Sequence, residues 1–200
     1  MSSAASSTSA ADGKLKPGTP GPIVPVSARE LSVLVRRAVG GGRRRAVWTH
    51  LGNEAAVRLD GARASVADGI VLVGLTLDTV ETGPQELTTV FAVGSRAKPA
   101  GLLAVAEDRP RGHGDLAATF AEPVIATAWR ALLTVVLDLA ASAGRDAFGE
   151  PLVPVAIAAQ PDALHVHTIA DHRIGGKATA IGGKTTKIGG HRPTSTRGRG

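Results

Sequence analysis

The sequence predicts an α+β fold: an N-terminal helix, an antiparallel β-meander of four or five strands, one long apolar helix packed on the sheet, and closing strands. Three observations predict it. Ser27 and Glu30 stand at capping-box spacing ahead of a helical apolar stripe. Asp-Gly dipeptides and an alternating run over 70–80 mark strands joined by tight turns. A helical pattern of about 20 residues opens at Pro123, a residue suited to a first helical turn.

In chain order, Leu31, Leu34, Val35 and Ala38 recur at i, i+3, i+4 and i+7, which predicts a helix over 28–39 ended by Gly40, Gly41 and Gly42. Ala46–Leu51 and Ala55–Leu59 are short β-compatible runs, with Asp60-Gly61 and Asp68-Gly69 as hairpin turns. Val71, Val73, Leu75 and Leu77 then alternate with Leu72, Gly74, Thr76 and Asp78, and the apolar start of this run predicts burial on both faces. Gly83-Pro84 turns the chain, Glu86–Val93 returns it, and Gly101–Ala106 adds a short strand. Asp108–Asp115 is a polar loop.

The second helix carries Ile125, Trp129, Leu132, Val136 and Leu139 along one stripe, with Arg130, Thr134 and Asp138 opposite. Most of its circumference is Ala, Val and Leu. One sheet covers one side of a helix, so a second partner is expected, either the first helix or another subunit. The stripe from Ile125 to Leu139 is therefore the candidate oligomer interface. Gly144 closes the helix. Leu152–Ala158 and Ala163–Ile169 read as strands around Gln160-Pro161-Asp162, and Pro151 and Pro154 place the first of them at an edge.

Residues 1–21 are rich in Ser, Ala and Pro, which predicts a flexible arm, with Pro17, Pro20, Pro22 and Pro25 keeping its end extended. Residues 22–172 form the single domain. From Arg173 a period of seven sets in (RIGGKAT, AIGGKTT, KIGGHRP), with Ile174, Ile181 and Ile188 in register. Paired glycines and one apolar position per repeat exclude a coiled coil and predict a flexible or extended basic tail.

Charge follows the same division. The chain carries +6, but Arg173, Lys177, Lys184, Lys187, Arg192, Arg197 and Arg199 occur without an acid, so the tail holds +7, the arm +1 and the domain −2. Seven cations bind polyanions by counterion release, without sequence preference. The regular isoleucines add a second expectation, an arm anchored by Ile174, Ile181 and Ile188 in shallow pockets of a neighbour.

Composition excludes several functions. The absence of Cys rules out disulfides, Fe–S clusters, thiolate zinc sites and cysteine nucleophiles. Three Phe, two Trp and no Tyr argue against base-stacking platforms and aromatic cages. Met1–Ala11 lacks the basic start and apolar core of a secretory signal. Arg130 and Asp138 interrupt the most apolar run, Val124–Ala143, which reads as a buried helix rather than a membrane span. The cytoplasm, or a particle assembled there, is the expected location.

Chemical motifs are few. His165 and His167 share a strand face and could hold a metal with His172 or Asp171 as a further ligand. The bland alternative is a polar strand face. His113 with Asp115 and Glu107-Asp108 could supply an acid–base pair, or merely furnish a loop. Gly182-Gly183-Lys184-Thr185 resembles the end of a phosphate loop, but Ala178 stands where the pattern needs Gly. Arg43-Arg44-Arg45 could touch phosphate or be solvated.

The element order resembles that of small phage-tail and head–tail connector proteins that form rings, a similarity of layout. The sequence thus predicts a non-enzymatic assembly subunit without a cofactor. Its expected partners are further copies of itself, neighbouring structural subunits and, through the tail, non-specific nucleic acid, with no membrane. A nucleic-acid-associated accessory protein is the alternative, and a small metal enzyme using His165 and His167 the third.

Overall fold

Ser27 sets the first helix. Its hydroxyl accepts the Glu30 N–H at 3.2 Å, so α1 (Ala28–Gly40) begins where the capping box places it. Gly41, at φ +51°, ends it by donating its N–H to the Arg37 carbonyl. The computed structural model describes residues 20–95 and 103–171. The predicted arm and tail lie outside these residues, except Pro20 and Gly21, which open a strand instead. That strand, β1 (Pro20–Ser27), leads directly into α1.

The meander is present as a five-stranded sheet. It comprises β2 (Arg45–His50), β3 (Asn53–Ala67), β4 (Ile70–Thr79), β5 (Gly83–Ala92) and β7 (Ala104–Val105), paired antiparallel in the order β2-β3-β4-β5-β7. Asp68-Gly69 turns the chain as expected. Asp60-Gly61 does not: it lies inside β3, in a register break between Arg58 and Arg63 that bends one continuous strand. The two-residue turn before β3 is Leu51-Gly52, both at positive φ.

A second sheet holds the rest, in the order β1-β9-β8-β6, where β6 is Gly94–Ser95, β8 is Leu152–Gln160 and β9 is Ala163–Ala170. β6 runs parallel to β8 and carries the chain from one sheet to the other. β1, with Pro20, Pro22 and Pro25, is the true edge, where missing N–H groups cost no ladder bond. β8, expected at an edge, is flanked by β6 only through Ala158 and Ala159, so its first half is open on that side.

The segment read as a loop ends in the first residues of a short helix, α2 (Gly114–Thr119), and α3 (Ala121–Ser142) follows. α3 spans two apolar clusters. Val124 joins Val57, Leu75, Leu77, Leu87 and Phe120 at one end. Ala128, Leu132, Val135 and Val136 meet Leu31, Val35, Val73, Phe91, Ile157 and Leu164 at the other. By length and composition α3 could cross a membrane. Its composition is accounted for by these two clusters, which it joins. β4 feeds the same clusters from one face, whereas its Ile70 and Leu72 lie on the open face and are not fully buried, contrary to the expected two-sided burial.

Two substitutions test this packing. The Thr89 hydroxyl is buried without a hydrogen-bond partner, so Thr89→Val should raise stability by about 1 kcal/mol, read as a higher urea midpoint. Gly112 sits at φ +141°, where a Cβ would lie 2.5 Å from the Glu86 carbonyl oxygen and 2.7 Å from Leu87. Gly112→Ala should cost about 2–4 kcal/mol, while Gly114→Ala, into open space, should change the midpoint little.

Candidate functional site

The predicted interface stripe on α3 faces inward. Leu132 and Val136 are buried in the core, and Trp129 and Leu139 pack against it, Trp129 with its ring 6.0 Å from that of Phe91. Ile125 is half-buried. Trp129, Leu132, Val136 and Leu139 are therefore corrected: they join α3 to its own protomer, because α1 and both sheets converge on that side. The second partner that the sequence demanded is in part α1.

What remains on the outside of α3 is a different apolar row. Leu133 and Leu137, one turn apart, are 39% and 49% exposed. Beside them a groove of about 110 Å³ runs between α3 and the open rim of β8, floored by Trp129, Val136 and Ile157 and edged by Leu103, Leu133 and Pro154. Val155, displaced by a register break between the groove residues Pro154 and Ala156, is itself exposed. Pro154 removes one donor from that rim, and the break bends it, so the edge is blunted against strand addition while its side chains stay available. Arg130, Thr134 and Asp138 are exposed as expected. The Thr134 hydroxyl donates to the Arg130 carbonyl at 2.9 Å.

His165 and His167 do share a face, opposite the buried Leu164, Val166 and Thr168. Their cross-strand neighbours are Pro25 and Ile23 on β1 and Ala158 and Ala156 on β8, none of them a ligand. Among the described residues no three His, Cys, Asp or Glu side chains come together in a metal-holding group. His172 lies outside the described residues, as do Arg173, Lys177, Lys184, Lys187, Arg192, Arg197, Arg199, Ile174, Ile181 and Ile188.

The Glu107 carboxylate is committed to a neighbour in the loop. Arg111 donates from Nε to both Glu107 oxygens at 3.0 Å and also from Nη2. These bonds hold the Glu107 carboxyl below its ordinary range and the Arg111 guanidinium above its own. Glu107 is thus kept as a charged partner. His113 precedes α2 with no side-chain cap bond and is exposed with Asp115.

The triple arginine is anchored by its backbone. The Arg44 carbonyl accepts the Leu59 N–H at 2.9 Å and the Asp60 N–H at 3.3 Å, which ties the loop to the bend of β3. On the outward face of the meander, Arg63 and Glu86 approach to 3.7 Å. Both are substantially exposed, and a pair of this kind contributes about 0–1 kcal/mol. They line an open concavity of about 480 Å³ together with Arg36, Ser65, Gly74 and Thr88.

Sequence reasoning missed Leu133, Leu137 and Val155. The signal was available in part, since a helix apolar nearly all round has two apolar rows and the core takes only one. Comparison with family models, curated proteins and solved structures finds no match.

With no ligand among their cross-strand neighbours, the two histidines should be replaceable. His165→Ala with His167→Ala should shift stability by no more than about 0.5 kcal/mol. Added zinc should leave the melting temperature of both proteins unchanged; a rise confined to the parent would establish the pair as a metal site.

Proposed function

We propose that the chain is a non-enzymatic structural subunit that associates with copies of itself, as a component of a ring or particle. The observation that carries this reading is the apolar surface left on α3 and β8 after the core is filled. Single exposed leucines are ordinary, but here exposed Leu133 lines an apolar groove, and exposed Leu137, one turn on, and Val155, between the groove residues Pro154 and Ala156, extend the apolar surface. Burial of these side chains against a second copy would remove them from water, the dominant gain in subunit association. The terminal segments, 1–19 and 173–200, then act as arms toward neighbours, with Ile174, Ile181 and Ile188 as anchors. Closed rings multiply such weak arm contacts through avidity.

A second reading, a nucleic-acid-associated accessory protein, draws on the seven tail cations without an acid.

The test is the solution mass of the full chain by light scattering on a sizing column. The parent should run as a discrete multimer. Leu133→Glu with Leu137→Glu should reduce it to monomer with unchanged circular dichroism, because two buried carboxylates would face an apolar partner. A monomeric parent, or a variant that still assembles, removes α3 as the interface.

A further inference from the structure

We infer that the outward face of the five-stranded sheet binds the phosphate backbone of a nucleic acid through Arg45, Arg58 and Arg63. This goes beyond the assembly reading and is separate from the tail. It begins with an arrangement that folding alone does not favour. Arg45 on β2 and Arg58 on β3 are direct cross-strand partners, both exposed on one face. Like charges in that position repel. Neither forms an ion pair: among the described residues the ion pairs are Arg63–Glu86 and Arg111–Glu107. Arg63 rises from the same face beyond the bend, since Arg58 pairs across with Thr76, Thr76 with Glu86, and Arg63 with Gly74. The three side chains thus share one face, Arg45 beside Arg58 across the β2–β3 pair and Arg63 farther along β3.

The floor beneath them is low. Gly61 has no side chain, and the Cβ it lacks would point at Thr76 and Arg58. Gly74 is covered only by the Glu86 carboxylate, which would lie 2.8 Å from a Cβ there. That carboxylate sits 3.7 Å from Arg63, where an incoming phosphate oxygen would sit, and it is held weakly enough to be displaced. Glu54 on the same face of β3, Asp60 in the bend and Asp78 one row beyond are the other acids nearby, and none of them pairs with the row.

The wider field agrees. Residues 29–63 carry eight arginines against three acids, whereas the remaining described residues carry four against thirteen. The three face arginines belong to this positive stretch, and the net negative charge of the other described residues disfavours a polyanion elsewhere on the domain. No aromatic side chain rises from the face, so recognition is of backbone and not of bases.

The experiment measures affinity of the full chain for a short labelled DNA duplex of mixed sequence by anisotropy over a range of salt concentrations. Arg45→Gln, Arg58→Gln and Arg63→Gln together should lower the salt slope by about 3 and weaken binding on the order of a hundredfold at roughly 0.1 M salt. Neutralising the seven tail cations should leave that portion of the slope in place. Glu86→Gln should tighten binding several-fold, a gain that a merely damaged fold does not give, and it serves as the readout if the triple variant fails to fold. Unchanged slope in the triple variant, with all binding lost on tail neutralisation, assigns binding to the tail alone and overturns the inference. So does a triple variant that keeps its DNA affinity but loses multimer mass at low salt, since the arginines then meet the acidic surface of a second copy.

Discussion

A strand longer than its neighbour leaves backbone donors and acceptors open along the excess, and the solution found for β3 organises the rest of this fold. β2 pairs with β3 only as far as Arg58. Beyond the bend, α1 takes over the edge with side chains. The Ser32 hydroxyl accepts the Ala64 N–H at 3.1 Å, and Arg36 Nε donates to the Ala62 carbonyl at 3.4 Å. The edge is covered by a helix instead of a strand, one of the ways an exposed ladder is protected. Because α1 is drawn to that edge, its Leu31 and Val35 enter the space between the two sheets, and α3 packs beside them. The bend separates the two apolar clusters, and α3 is long because it must reach both.

Strong local chemistry was legible in the sequence. The Ser27–Glu30 cap, the alternation through β4 and the periodicity of α3 each state their conformation within a few residues. The errors arose where a local signal was outvoted by pairing. Asp60-Gly61 has the composition of a hairpin turn, yet β4 runs past it and pairs on both sides, so the extra residues become a bend. Pro20–Ser27 reads as non-strand because three prolines cannot donate, and it is a strand because β9 needs a partner on one side only.

The site was less legible for a related reason. An apolar helix shows how much of its surface must be covered but not which row meets its own core, since Leu132 and Leu133 are adjacent and chemically identical. Only the direction from which α1 and the sheets approach separates them. Arg45 and Arg58 are similarly uninformative as letters. Their apposition follows from the Leu51-Gly52 turn, which fixes the register of β2 on β3 and puts two like charges opposite each other. A count of charges over the domain gives a small negative total and conceals that the positive charge is gathered on one stretch.

The two proposed surfaces belong to different layers. The apolar row lies on α3 and the rim of β8, whereas the arginine row lies on the outward side of β2 and β3, so neither residue set draws on the other. An assembly built through α3 would therefore leave the arginine faces available and repeat them around its symmetry axis. Three cations on one subunit make a weak, salt-sensitive contact. Repeated at fixed spacing on a multimer, the same contact becomes intramolecular after the first and gains through effective concentration without any new interaction. The acidic remainder of each domain then limits where a polyanion can run, confining it to the arginine faces and to the basic tails.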